Sequence, residues 1–181
     1  MAYLVDPVWG AIASIASWWL LAVLVILILI FWFGLFMPRQ RAYLPARTFD
    51  GRKEGYRASQ VDGILREFTD EGLQTYLTQA SVIDMIFPIL YSLAAAIAIV
   101  LFAPRLEGFR WLVLLPFLTA LSDYIENFCV ITVIGKHRRG QQAGSTGSVL
   151  AMATRVKFIL WGAMLVALAV LAVGWVVRAV R

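Results

Sequence analysis

The chain has 181 residues, of which 61% are hydrophobic and only 15% charged, against about 25% charged in a soluble domain. Its apolar residues come in long blocks, which excludes an ordinary soluble domain, and the length leaves no room for a large separate one. The formal net charge of +5 comes from Lys and Arg beside those blocks. There they set orientation and meet anionic headgroups, so nucleic acid is not an expected partner.

No charged residue lies between Asp6 and Arg39, and the block exceeds the ~20 residues that a spanning helix needs. The first crossing is expected over about 9–37, tilted or with an emergent first turn. Trp9, Trp18 and Trp19 toward one end and Trp32 toward the other suit the two bilayer interfaces. No Lys or Arg precedes the run, and it is too long for a cleaved leader, so it is expected to stay as the first membrane helix.

Residues 39–79 are polar and hold Arg39, Arg41, Arg47, Arg52, Lys53, Arg57 and Arg66 among acids. Asp50-Gly51 reads as a turn. Ser59 and Asp62 have the spacing of a capping box. Val61, Ile64, Leu65 and Phe68 then recur at helical spacing. A short amphipathic helix is therefore expected over 60–68, on the membrane surface or over the helix ends. Thr69, Asp70 and Glu71 open the next helix, since acids suit a first turn.

The second crossing is expected over 81–103. Pro88 should kink it and free a carbonyl one turn earlier, near Asp84. Ala94, Ala95, Ala96 and Ala98 offer a smooth packing face. Pro104, Arg105, Glu107 and Gly108 form a short connection. The third crossing, 111–135, is interrupted by Asp123 and Glu126. Lys136, His137, Arg138 and Arg139 stop it and should contact headgroups. GQQAGSTGS reads as a flexible loop. The fourth crossing, 158–177, follows Arg155 and Lys157 and precedes Arg178.

Four crossings put both basic segments, 39–79 and 136–157, on one side, which the charge bias makes the cytoplasm; the termini then face outward. The expected fold is all-α. It is a polytopic four-transmembrane-helix bundle over 1–181, in an inner (plasma) membrane, with a cytoplasmic amphipathic helix between helices 1 and 2. The two halves show no matching polar residues, so the inverted repeat of many transporters is missing.

The sharpest constellation is Asp123-Tyr124-Ile125-Glu126-Asn127. Spacings of three and four put Asp123, Glu126 and Asn127 on one helix face, with Thr119 one turn earlier. Each carboxylate at this depth costs at least about 2.5 kcal/mol, so these groups should face protein or water and need a proton or a cation to offset their charge. Glu126 should lie about 13 Å inside the cytoplasmic end, at 1.5 Å per residue. Asp84, Arg155 and Lys157 approach from that end, so Asp84, Glu126, Asn127, Arg155 and Lys157 are expected to form one polar cluster, with Asp123 deeper.

The plain reading of such a cluster is structural: acids paired with Arg155 or Lys157 fix helix register, with Asn127 as glue. Against it stand a lipid or small-molecule site and a proton or cation path through Asp123 and Glu126. Carboxylate oxygens also suit a hard metal, but no metal site and no cofactor are expected. His137 is the sole histidine and sits among basic residues, which disfavours zinc. No GxSxG and no phosphate-cradling glycine loop occur. Cys129 is a lone thiol inside an apolar block, best read as packing.

The strings YLTQASVIDMIFPILYSL (76–93) and LPFLTALSDYIENFCV (115–130) resemble a pattern of small four-helix bacterial inner-membrane proteins of uncharacterised function. There a Leu-Asp-x-x-Phe-Pro core and an Asp-x-x-Glu-Asn core occur on successive helices. The resemblance covers the second and third crossings and implies no activity. The chain is also similar to the sterol-isomerase and sigma-2-like four-helix proteins, which carry acids inside their helices. It departs from them in having no histidine beside the acids and no acid in its first crossing, so no catalytic role carries over.

These features favour a non-enzymatic membrane protein that binds a lipid-like ligand or serves as an accessory subunit of a membrane complex. Membrane lipids are the expected partners, with a larger complex or a homodimer beyond them. The alternatives are a membrane enzyme acting on a lipid or isoprenoid, with Asp123 and Glu126 as acid and base, and a dimeric proton-coupled carrier.

Overall fold

The computed structural model describes residues 2–40, 43, 46–52, 54–103 and 107–180. Arg41, Lys53 and the expected connection at Pro104 and Arg105 lie outside the described residues. Among the described residues the chain is helical, with no strand. In chain order the helices are α1 (Ala2–Ile15), α2 (Trp18–Arg39), α3 (Val61–Arg66), α4 (Asp70–Phe102), α5 (Gly108–Arg138) and α6 (Ser145–Val180). The four long ones, α2, α4, α5 and α6, are each long and apolar enough to cross a membrane.

The first of these helices does not run unbroken over the expected 9–37 block, because the chain leaves the helix at Ser17. That residue is extended (φ −147°, ψ 152°), and its hydroxyl accepts the Leu20 N–H at 3.2 Å, so it caps a new helix. α1 lies instead against α4 and the 107–113 turn. An Asp6–Arg110 ion pair at 3.6 Å holds it there, with the Arg110 guanidinium 5.9 Å from the Trp9 ring centroid. Trp9 thus marks this junction rather than the end of a crossing.

α2 packs on α4, α4 on α5 and α6, and α5 on α6. Chain direction alternates, so Arg39, Asp70, Arg138 and Ser145 share one basic end. At the opposite end α2 meets α6 through Trp18 and Trp175, with ring centroids 5.4 Å apart, and both rings contact Phe102. Midway, Ile28 joins Met164 and Leu168 in a core with Tyr91 and Ala95. Among the described residues α2 and α6 share no extensive backbone contact beyond these side-chain meetings. Ala94, Ala95, Ala96 and Ala98 are buried, as a close-packing face requires.

The described residues between 43 and 68 cap the basic end. Val61, Ile64, Leu65 and Phe68 are all buried, in one core with Phe49, Tyr76, Val133, Ile134 and Leu150. The cap therefore covers helix ends. Its start differs from the expected Ser59–Asp62 box, because the chain turns two residues sooner. Arg57 is extended, and the Gln60 side chain accepts its N–H at 2.7 Å. Asp62 instead accepts the Ala143 N–H at 2.9 Å.

That bond also ties down GQQAGSTGS, which is not a free loop, since α6 begins within it at Ser145. A Cβ on Gly147 would lie 3.2 Å from the Ala143 Cβ and 3.5 Å from the Ala58 carbonyl, so glycine permits this close approach to the cap. Lys136, expected at the headgroups, donates to Ala143 O at 3.1 Å and Thr146 Oγ1 at 2.9 Å. Arg138 donates to Gln74.

Burial pushes the Tyr43 and Tyr56 hydroxyls in the cap well above the usual phenol range. The folded chain thus holds these protons more tightly than the unfolded one. Their contribution to stability should be intact below about pH 10 and fall as pH rises beyond it. Ultraviolet difference titration of the protein against Tyr56→Phe should show no tyrosinate from Tyr56 near pH 10. A normal phenol titration there would refute its burial.

Candidate ligand site

Two side-chain pairs, each one helical turn apart, face each other across α5 and α6. α5 presents Asp123 and Glu126, and α6 presents Thr154 and Lys157, all buried. The helices run antiparallel, so the four groups alternate. Thr154 donates to Glu126, Lys157 donates to the other oxygen of Glu126, and the Lys157 Nζ stands 3.2 Å from Asp123 Oδ1. Tyr91 of α4 donates to the remaining Asp123 oxygen. Tyr56 of the cap lies 2.7 Å from Thr154 Oγ1, oxygen to oxygen. A continuous polar chain therefore runs from Tyr91, through Asp123, Lys157, Glu126 and Thr154, to Tyr56. The cation that the two acids call for is Lys157, which has three protons to share among them.

Asn127 acts on the backbone. Pro88 has no N–H, which leaves the Asp84 carbonyl without its helical partner. The Asn127 amide donates to that carbonyl at 2.8 Å, and Tyr124 donates to the Met85 carbonyl at 3.0 Å. The freed carbonyl expected near Asp84 is thus satisfied from α5. A π-helical turn at Gln79–Ile83 precedes it. Gln79 lies in that turn; its amide N–H reaches the Asp84 carboxylate at 3.3 Å, and its carbonyl accepts from Tyr43.

Two expected members stand apart. Arg155 is exposed and donates to the Tyr56 carbonyl at 3.3 Å. It follows Thr154 by one residue, and one residue is about 100° of helix rotation, which turns it away from the acids. Thr119 is fully buried, but its hydroxyl bonds back to Leu115 O at 2.9 Å.

Asp84, Asp123, Glu126, Asn127 and Lys157 all line a cavity of about 600 Å³. Its other walls are largely apolar and aromatic, with Trp32 and Phe36 from α2, Phe87 from α4, and Phe158 and Trp161 from α6. Leu165 lines it too and is exposed. The cavity thus lies where α2 and α6 part company.

Asp50 also lines this cavity, on a turn closed by Gly51 N–H to Thr48 O at 3.1 Å. Its Oδ1 is buried with no hydrogen-bond partner among the described residues. The turn is readable in the sequence, but nothing there points its carboxylate inward. Thr154 was findable, since it precedes Lys157 by the spacing that separates Asp123 from Glu126. Cys129 is buried and free. Among the described residues no three Asp, Glu, His or Cys side chains stand close enough together to hold a metal ion.

Searches against family models, curated proteins and solved structures find no match to this chain. Its function is therefore read from the geometry alone.

Proposed function

We propose that the chain is a four-crossing membrane bundle that takes a lipid-like ligand from the bilayer into the cavity between α2 and α6. The supporting observation is the cavity itself, apolar and aromatic along its walls and polar where α5, α6 and the cap meet. Such a division suits a molecule with a long apolar body and one polar end. Exposed Ile26, Ile159 and Val166 give α2 and α6 lipid-facing surfaces on either side of the opening. In this reading the basic end, with the 39–79 cap, faces the cytoplasm of a plasma membrane.

A purely structural joint would need the Lys157 pairing but no cavity. An acid–base enzyme would need one of the acids free to donate a proton, yet Lys157, Tyr91 and Thr154 all donate to Asp123 and Glu126. That engagement of Asp123 and Glu126 supports the non-enzymatic reading over acid–base chemistry by these two residues.

Native mass spectrometry of the protein extracted with its lipids tests the proposal. Wild type should retain a bound amphiphile, and Leu165→Trp, which fills the mouth, should lose it while keeping its helical circular dichroism. Glu126→Gln should weaken retention by disturbing the polar end. Equal retention by all three would overturn the site. The same spectra report whether the chain flies as a monomer, a homodimer or part of a larger complex.

A further inference from the structure

We propose, building on the reading of a lipid-like ligand site, that the ligand's polar end is a cationic amine seated against Asp50 and Asp84. Four carboxylates line the cavity: Asp50, Asp84, Asp123 and Glu126. Lys157 is the one basic side chain that lines it among the described residues, and it is spent on Glu126 and Asp123. Those two acids take further hydrogen bonds from Tyr91 and Thr154.

The other two are poorly served. Among the described residues Asp84 has only the Gln79 amide, at 3.3 Å, and the Asp50 Oδ1 is buried with no hydrogen-bond partner. Among the described residues the basic side chains near this turn have other partners, though the Arg52 Nε is also buried with no hydrogen-bond partner. Arg52 pairs with Glu67, Arg39 donates to Leu35 O at 3.2 Å, and Arg155 donates to Tyr56 O.

A carboxylate removed from water calls for a cation or several hydrogen-bond donors. An ammonium supplies both, with three N–H groups for scattered acceptors. The rings of Trp32, Phe87 and Trp161 line the same cavity, and aromatic faces attract a desolvated cation. A phosphate or carboxylate head would be repelled by the carboxylates, and an alcohol would bring no charge of its own to Asp50 and Asp84. A metal ion lacks a cluster of three ligands among the described residues.

The test is competition for the delipidated, detergent-solubilised protein between dodecylamine and dodecanol, which differ only in the head. Wild type should bind the amine at least about tenfold more tightly. Asp50→Asn with Asp84→Asn should abolish that preference while leaving dodecanol binding as it was. Asp84→Glu, which keeps the charge, should retain it; both variants leave the Lys157 network in place.

Lysophosphatidylethanolamine separates two sources of the same chemistry. Binding with the same dependence on Asp50 and Asp84 assigns the amine to a phospholipid head, and rejection assigns it to a simple long-chain amine. Equal affinity for amine and alcohol in wild type would overturn the cationic head but spare the lipid-like site. A preference that survives the double variant would overturn its placement. Binding of both probes that Leu165→Trp does not change would overturn the underlying site.

Discussion

Lys157→Met should destabilise the protein by about 3–5 kcal/mol, the usual cost of removing one partner from a buried ion pair. The substitution keeps the length and apolar stem of the side chain, so packing changes little. What it removes is the ammonium between Glu126 and Asp123, both buried on α5. Two carboxylates then face each other in a low dielectric with only Tyr91 and Thr154 as donors. Restoring neutrality should restore most of the loss, so Lys157→Met combined with Glu126→Gln and Asp123→Asn should unfold close to wild type. Thermal or denaturant unfolding in detergent checks both variants. A single variant as stable as wild type would mean that the triad carries no structural charge balance.

Asn127→Leu should cost about 1–3 kcal/mol, because it strips the donor from a buried carbonyl. The cost has a specific origin that a double-mutant cycle exposes. In Pro88→Ala an N–H returns at position 88 and can take the Asp84 carbonyl in the ordinary helical way. Asn127→Leu should therefore cost clearly less in the Pro88→Ala background than in wild type. Equal costs in the two backgrounds would show that the amide matters through packing and not through the carbonyl that proline frees.

The comparison of these two residues shows what the chain discloses before it folds. Pro88 and Asn127 were readable as a freed carbonyl and a polar side chain on the acid face. Their meeting was not readable, because it depends on how α5 packs against α4. Lys157 and Arg155 were not separable in the same way. With the fourth crossing expected to start at 158, both residues stood at its very start, where nothing in the pattern fixed which face each would take. The helix in fact begins at Ser145, and that extra length turns Lys157 inward and Arg155 outward. Likewise Ser17 is one polar residue in an uncharged block, too weak a signal to divide α1 from α2 by pattern alone. Asp50 shows the limit most plainly. Its turn is local and legible, whereas its place on the cavity wall depends on how the whole cap packs against α5 and α6.

That packing also bears on how the chain is made. The cap is translated well before Val133, Ile134 and Leu150, the surface that buries it, and Tyr56 reaches across to Thr154. At roughly 5–20 residues per second the ribosome needs several seconds to supply those partners. During that interval Phe49, Leu65 and Phe68 can meet Tyr56 and Tyr76 but not the surface that completes their burial. The cap is thus a late-folding element despite its early position, and its closure waits on delivery of the last two helices.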